Sequence, residues 1–109
     1  MDEKLFINRL KEIINIFSTE NFYLAIDKAK ELKKELNDDE EKLFVENIIK
    51  IIQATLLLNQ QNIGESLELL ESAYFQLKNF RPNYKGLKVE NLLNNINQSI
   101  SEIKKISKK

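Results

Sequence analysis

The sequence contains no cysteine, no histidine and no tryptophan, and it has only two glycines and one proline. Without cysteine and histidine there can be no disulfide, no thiolate nucleophile and no Cys/His zinc site. Triads that use histidine as the base are excluded on the same ground. A metal site would need oxygen ligands alone, and no Asp/Glu loop of calcium-binding spacing occurs, so no metal and no cofactor is expected. Glycine-rich phosphate loops and paired-acid motifs are missing too, which argues against an enzyme. An all-β domain spends glycine and proline on tight turns, so their scarcity argues for long helices.

An excess of either charge is also lacking. Seventeen basic residues balance seventeen acidic ones, so no strong global field would draw nucleic acid or anionic lipid to the chain. Met1-Asp2-Glu3-Lys4 lacks the apolar stretch of a signal peptide. The most apolar run, residues 43–58, is broken by Glu46, Lys50 and Gln53 and is too short to span a bilayer. The expected address is cytoplasmic, with no membrane partner. Lysine far outnumbers arginine, and Ile and Asn are heavily used, the composition of an AT-rich genome.

What is present is periodic. A hydrophobic fraction of 42% suffices for a globular core, and residues 1–109 fit one domain. The charged fraction of 31% does not signal disorder, because the apolar residues recur at helical spacing. Helix one is expected over 3–17, with Phe6, Leu10, Ile13 and Phe17 on one side and Ile14 beside them. Ser18-Thr19-Glu20-Asn21 breaks it, and Asn21 or Thr19 is placed to cap the next helix. Helix two is expected over 22–36, with a stripe of Phe22, Ala25, Ile26, Ala29, Leu32 and Leu36. Its other face, with Asp27, Lys28, Lys30, Glu31, Lys34 and Glu35, reads as solvated and of mixed sign.

Asp38 followed by Glu41 resembles a capping box, and the acidic run 38–41 suits the positive end of a helix dipole. Helix three, over 40–59, is apolar around more than half its circumference, with Glu46, Asn47, Lys50 and Gln53 as one polar strip. Such a helix is the central element that the others pack around. Helix four is expected over 63–79, with Ile63, Leu67, Leu70, Tyr74 and Leu77 inward. An irregular link follows over 80–86, and helix five over 88–106 carries Val89, Leu92, Leu93, Ile96, Ile100, Ile103 and Ile106. The fold class is therefore all-α, a single bundle of about five amphipathic helices. One internal echo is visible, as Asn21-Phe22-x-x-Ala25-Ile26 resembles Asn62-Ile63-x-x-Ser66-Leu67 at an offset of 41 residues. It reads as two helix hairpins built by the same packing rules.

These segments also come in a familiar order: residues 17–27, then 43–50, then 62–67 with 69–73, then Pro82 and Gly86-Leu87. Over 13–96 the chain resembles the bacterial, archaeal and plastid family catalogued as domain of unknown function 309. That resemblance implies a small helical bundle without a settled biochemical activity. The family's distinctive His-Glu pair and following Trp fall on Ile26, Asp27 and Lys33. Its Gly-Leu-Ile-Gln on the third helix falls on Asn47, Ile48, Ile49 and Lys50. Only Asp27 keeps an acid where the family has one, and Ile26 can neither transfer a proton nor bind a metal.

Three sets of residues are candidates for function. Tyr23, Leu24, Leu69 and Phe75 lie off the main stripes and could form an apolar patch for a protein partner or a second copy of the chain. Asp27 with Asn47 or Lys50 could be a remnant polar pocket, either for a small ligand or as a degenerate enzyme-like site. The segment 81–85, with Arg81, Tyr84 and Lys85, and the tail lysines Lys104, Lys105, Lys108 and Lys109 could grip phosphate or a base, although two loop cations are few for nucleic acid. The expected function is that of a non-catalytic protein-interaction or scaffold domain, including self-association as a homodimer.

Overall fold

The computed structural model describes residues 1–107, and they form five α-helices: α1 (Glu3–Ser18), α2 (Phe22–Glu35), α3 (Asp39–Asn59), α4 (Ile63–Leu77) and α5 (Val89–Ser107). The all-α bundle read from the sequence is the fold observed. Among the described residues no helix is long and apolar enough to cross a membrane.

Close packing runs between consecutive helices, α1 on α2, α2 on α3, α3 on α4 and α4 on α5. The short connections 19–21, 36–38 and 60–62 make α2, α3 and α4 each antiparallel to the helix before it. α3 is the axle, burying Phe44, Val45, Ile48, Ile49, Ile52 and Ala54. Around it lie Phe6, Leu10 and Ile13 of α1, Ala25, Ile26, Ala29 and Leu32 of α2, Leu70, Ala73 and Leu77 of α4, and Leu93, Ile96, Ile100 and Ile103 of α5. Ile106, expected inward, is 52% exposed. Surface ion pairs join three of the interfaces: Arg9–Glu35 (2.8 Å), Lys33–Glu46 (3.5 Å) and Lys104–Glu71 (3.7 Å). Exposed pairs of this kind are each worth a few tenths of a kcal/mol to about 1 kcal/mol.

The internal echo is a repeated backbone. Glu20 and Gln61 adopt left-handed φ angles of 65° and 66°. Their predecessors Thr19 and Gln60 have φ/ψ of −88°/9° and −87°/6°. Their successors Asn21 and Asn62 have −89°/71° and −86°/70°. Glu20 and Gln61 donate their N–H groups to the carbonyls of Phe17 and Leu58, the left-handed helix stop that satisfies orphan carbonyls. Ala25 and Ser66 then take the same place in α2 and α4, both fully buried where the paired helices approach closely. The Ser66 hydroxyl donates to the Ala54 carbonyl across that approach at 2.6 Å, so the polar member of the pair is satisfied. Helices α1–α2 and α3–α4 are thus two copies of one hairpin, with α5 packed on the second.

Local details differ from the sequence reading. Asn21 makes no side-chain cap, and the Thr19 hydroxyl instead donates backwards to the Ile16 carbonyl. Asp2 and Asp38 do cap, accepting from Leu5 N and Glu40 N. Glu41 does not complete a capping box, since its carboxylate accepts from Lys85 Nζ at 3.0 Å. α4 ends two residues early in a turn of 3₁₀ helix, Lys78–Phe80. The segment expected to be an irregular link contains a two-stranded antiparallel hairpin, β1 (Asn83–Tyr84) and β2 (Leu87–Lys88), in register Asn83 to Lys88 and Tyr84 to Leu87. Its two-residue loop has both φ angles positive, Lys85 at 49° and Gly86 at 84°, the mirror-image turn that matches strand twist.

The hairpin is fixed by aromatic packing. Tyr84 stands 4.8 Å from both Phe44 and Phe80, ring centre to ring centre, and 6.5 Å edge-on from Phe6. This cluster draws α1, α3, the 3₁₀ turn and β1 together. The two glycines separate the backbone cost from the contact cost. An added methyl at Gly86 meets only Ile7 Cδ1, at an ordinary 3.7 Å, so Gly86→Ala loses about 1 kcal/mol through its left-handed φ alone. Gly64 has nothing within 4 Å of the added methyl and is the second residue of α4, so Gly64→Ala gains less than the ~1 kcal/mol of a helix interior. Thermal unfolding of the two variants should move the midpoint in opposite directions.

Candidate functional site

Two concavities lie on different sides of α3. The first runs between α1 and α5, with α3 as its floor. It consists of two apolar hollows of 250 and 230 Å³ that share Ile14, Ile48 and Leu92. One end is walled by Leu10, Phe44, Leu87 and Val89. The other is walled by Phe17, Ile51 and Ile52, with Thr55, Asn95 and Ser99 as its polar lining. Among the described residues Lys88 is the one charged residue in the lining, and no carboxylate lines it. Ile14 is 44% exposed here, although the sequence places it beside the core stripe. The cause is the packing order: α1 and α5 are each held by a neighbour on the far side of α3 and stay apart on this side.

The second concavity, a groove of 580 Å³ between α2, α3 and α4, is lined by Lys30, Lys33, Lys34, Lys42, Glu46, Ile49, Lys50, Gln53 and Leu69. Residues 30, 33 and 34 share a face of α2, and 42, 46, 49, 50 and 53 share a face of α3.

The sequence-derived candidates are dispersed. Tyr23 and Leu24 lie in the first turn of α2, 65% and 41% exposed, and Phe75 in the last turn of α4, 74% exposed. α2 and α4 run parallel, each being antiparallel to α3, so these ends are opposite. Leu69, midway along α4, is half-buried on the edge of the lysine groove. The four residues therefore do not form one patch. Asp27, Asn47 and Lys50 do not meet either. Asp27 is exposed, whereas Ile26 beside it is core. Asn47 is not on a solvated strip: it is fully buried, its Nδ2 donating to the Leu43 carbonyl at 2.9 Å and its Oδ1 without a partner. Lys50 turns away from α2 and donates to Ser72 Oγ (3.1 Å) and Gln76 Oε1 (3.3 Å) of α4.

In the 81–85 segment both cations are held by this chain. Arg81 grips Glu90 with two bonds, Nε to Oε2 at 2.8 Å and Nη2 to Oε1 at 2.6 Å. This pairing raises the guanidinium pKa and lowers that of the Glu90 carboxyl. Lys85 bonds the buried Glu41 and stands over the rings of Phe6 and Tyr84, 5.7 and 5.6 Å from their centres. Among the tail lysines, Lys104 pairs with Glu71, and Lys108 and Lys109 lie outside the described residues. Among the described residues no cluster of three Asp or Glu is placed to hold a metal ion.

Compared with known proteins, the chain matches no family model, no curated sequence and no solved structure.

The two cavities were missed in the sequence for different reasons. Lys30 and Lys34 read as part of a mixed face because the acids interleaved with them could not be assigned to a neighbour. The apolar cleft used residues already counted as core. The hairpin clamp has a pH signature with a definite sign. The Tyr84 hydroxyl is buried beside Glu40 without a hydrogen bond of good geometry. Burial first, then the negative charges of Glu40, Glu41 and Asp38, push its pKa above the ordinary phenol value. The Lys85 pKa is raised mainly by its hydrogen bond to Glu41. An unfolded tyrosine ionises near pH ~10 and an unfolded lysine loses its charge near pH ~10.4. Folding holds both protons longer, so their contributions are complete below those values and fall as pH rises through them. Thermal midpoints measured from neutral to alkaline pH should drop above about pH 10, and Tyr84→Phe should make the drop shallower.

Proposed function

We propose that this chain is a non-catalytic, cytoplasmic interaction domain that receives an amphipathic helix from a protein partner in the cleft between α1 and α5. The observation that carries this reading is the continuity of the two hollows through Ile14, Ile48 and Leu92. Apolar side chains on three helices face one trough, and the cleft follows α3 from Phe44 to Thr55, about 16 Å at 1.5 Å per residue. That length suits about three turns of a helix presenting an i, i+3/i+4, i+7 stripe. The neutral amides and hydroxyls of Asn95, Ser99 and Thr55 are suited to hydrogen bonding at the rim. No convergent acid, base or nucleophile lines the trough, so binding and not turnover is the chemistry it supports.

The reading excludes an extended acidic or basic strand as the preferred occupant, because one lysine is the only charge along the walls. Helical peptides selected by display against the folded domain should carry the apolar stripe and shift amide resonances of α1, α3 and α5 around Ile14, Ile51 and Leu92. Ile14→Glu with Leu92→Glu places two carboxylates in the trough at partly exposed positions. The double variant should weaken the selected peptides by at least ~10-fold, equivalent to ~1.4 kcal/mol, while its helical circular dichroism stays native. Failure to recover any binder, or binders whose shifts map elsewhere, would remove the proposal.

A further inference from the structure

The lysine groove on the other side of α3 carries a separate inference. Five lysines, Lys30, Lys33, Lys34, Lys42 and Lys50, line it with a single carboxylate, Glu46, which stands 3.5 Å from Lys33. Lys50 lines the groove, and its ammonium is held on the α4 side by two neutral acceptors, the Ser72 hydroxyl and the Gln76 amide, so no carboxylate neutralises it. Among the described residues no carboxylate stands within ion-pair distance of Lys30, Lys34 or Lys42. A chain of zero net charge therefore collects uncompensated positive charge in one concavity, and Lys30 and Lys34, one helical turn apart, repel each other.

We infer that the groove between α2, α3 and α4 binds a small oligophosphate anion, a chain of linked phosphates without a base to be recognised. Its volume of 580 Å³ falls in the range of small-ligand sites. Lys42 and Lys50 lie eight residues apart on one face of α3, about 12 Å along the axis, which asks for several charges in a row and not one. Every cation in the groove is lysine, a compact point charge that meets phosphate oxygens in any rotation, whereas planar carboxylates are matched best by the arginine fork. No aromatic side chain lines the groove, so there is no stacking platform for single-stranded nucleic acid.

Calorimetric titration with sodium tripolyphosphate at low ionic strength tests this, with inorganic phosphate and a short oligoglutamate peptide as comparators. Tripolyphosphate should bind with one-to-one stoichiometry, more tightly than either comparator, and should weaken as salt is added. Lys34→Gln with Lys42→Gln should reduce its affinity at least tenfold, Lys50→Gln should also reduce it, and Glu46→Gln should increase it. Lys105→Gln on α5 should change nothing. No binding of tripolyphosphate, binding equally sensitive to Lys105→Gln, or oligoglutamate binding as tightly as tripolyphosphate would each overturn the inference. The Ile14→Glu, Leu92→Glu variant should bind tripolyphosphate like the unaltered chain, which keeps this site distinct from the cleft.

Discussion

The burial of α3 is the constraint on which the other features rest. A 21-residue helix with apolar side chains around most of its girth cannot be covered by one neighbour, because an amphipathic helix offers only one stripe. α2 and α4 take the two flanks and approach closely through Ala25, Ala29, Ser66 and Ala73, all fully buried. Small residues at those positions set the interhelical distance, since larger ones would overpack the contact. α1 and α5 are then attached to α2 and α4 and only reach toward α3. The cleft and the groove are spaces this order leaves, one between the outer helices and one between the inner pair.

The second constraint operates at one end of the molecule, where the aromatic cluster and the Lys85–Glu41 bond fix the hairpin to α1 and α3. Glu41 is 6% exposed, and a carboxylate at that depth is tolerated because a cation reaches it. Phe6 and Tyr84 supply ring faces beneath the same ammonium. The link between α4 and α5 is thereby a fixed element of the core, and Arg81 with Glu90 ties its entry to the start of α5. The cations that look free in the sequence are structural here.

The helices were legible because each carries its own signal. The stripe of α2 through Ala25, Ile26, Ala29 and Leu32 follows from a period that the chain states locally, and Ser18-Thr19-Glu20-Asn21 announces a break by composition. The β-hairpin was not legible. Lys85 carries no turn preference, and strands of two residues are too short to show alternation. Asn47 was misplaced for a different reason. It shares a face of α3 with Lys50 by spacing, but it is fully buried, and the sequence does not say how far each neighbour of α3 reaches. Its self-satisfied Nδ2 bond to the Leu43 carbonyl allows a polar residue to occupy a core position that the pattern assigns to solvent. The family resemblance offered no correction, because the positions that would carry its polar pair hold a core isoleucine and an exposed aspartate.

Net charge proved the least informative quantity, and the reason is one of distance. Interactions between exposed charges fade over about 10 Å in dilute salt, so a ligand responds to the charges lining its own cavity and not to the sum over a molecule whose longest extent is 47 Å. The acids of 38–41 sit at the first turn of α3, where the helix dipole favours them, and several of them act on Tyr84 and Lys85. Lys42 follows them directly in the chain but lines the groove, and Lys50 lies about two turns further along α3. A balanced chain thus presents an almost uncharged trough and a strongly cationic groove on the same central helix. That sorting follows from the angular offsets among positions 41, 42, 46 and 50 together with the partner each one meets. The offsets are written in the sequence, but the partners are set only by which helices pack against α3.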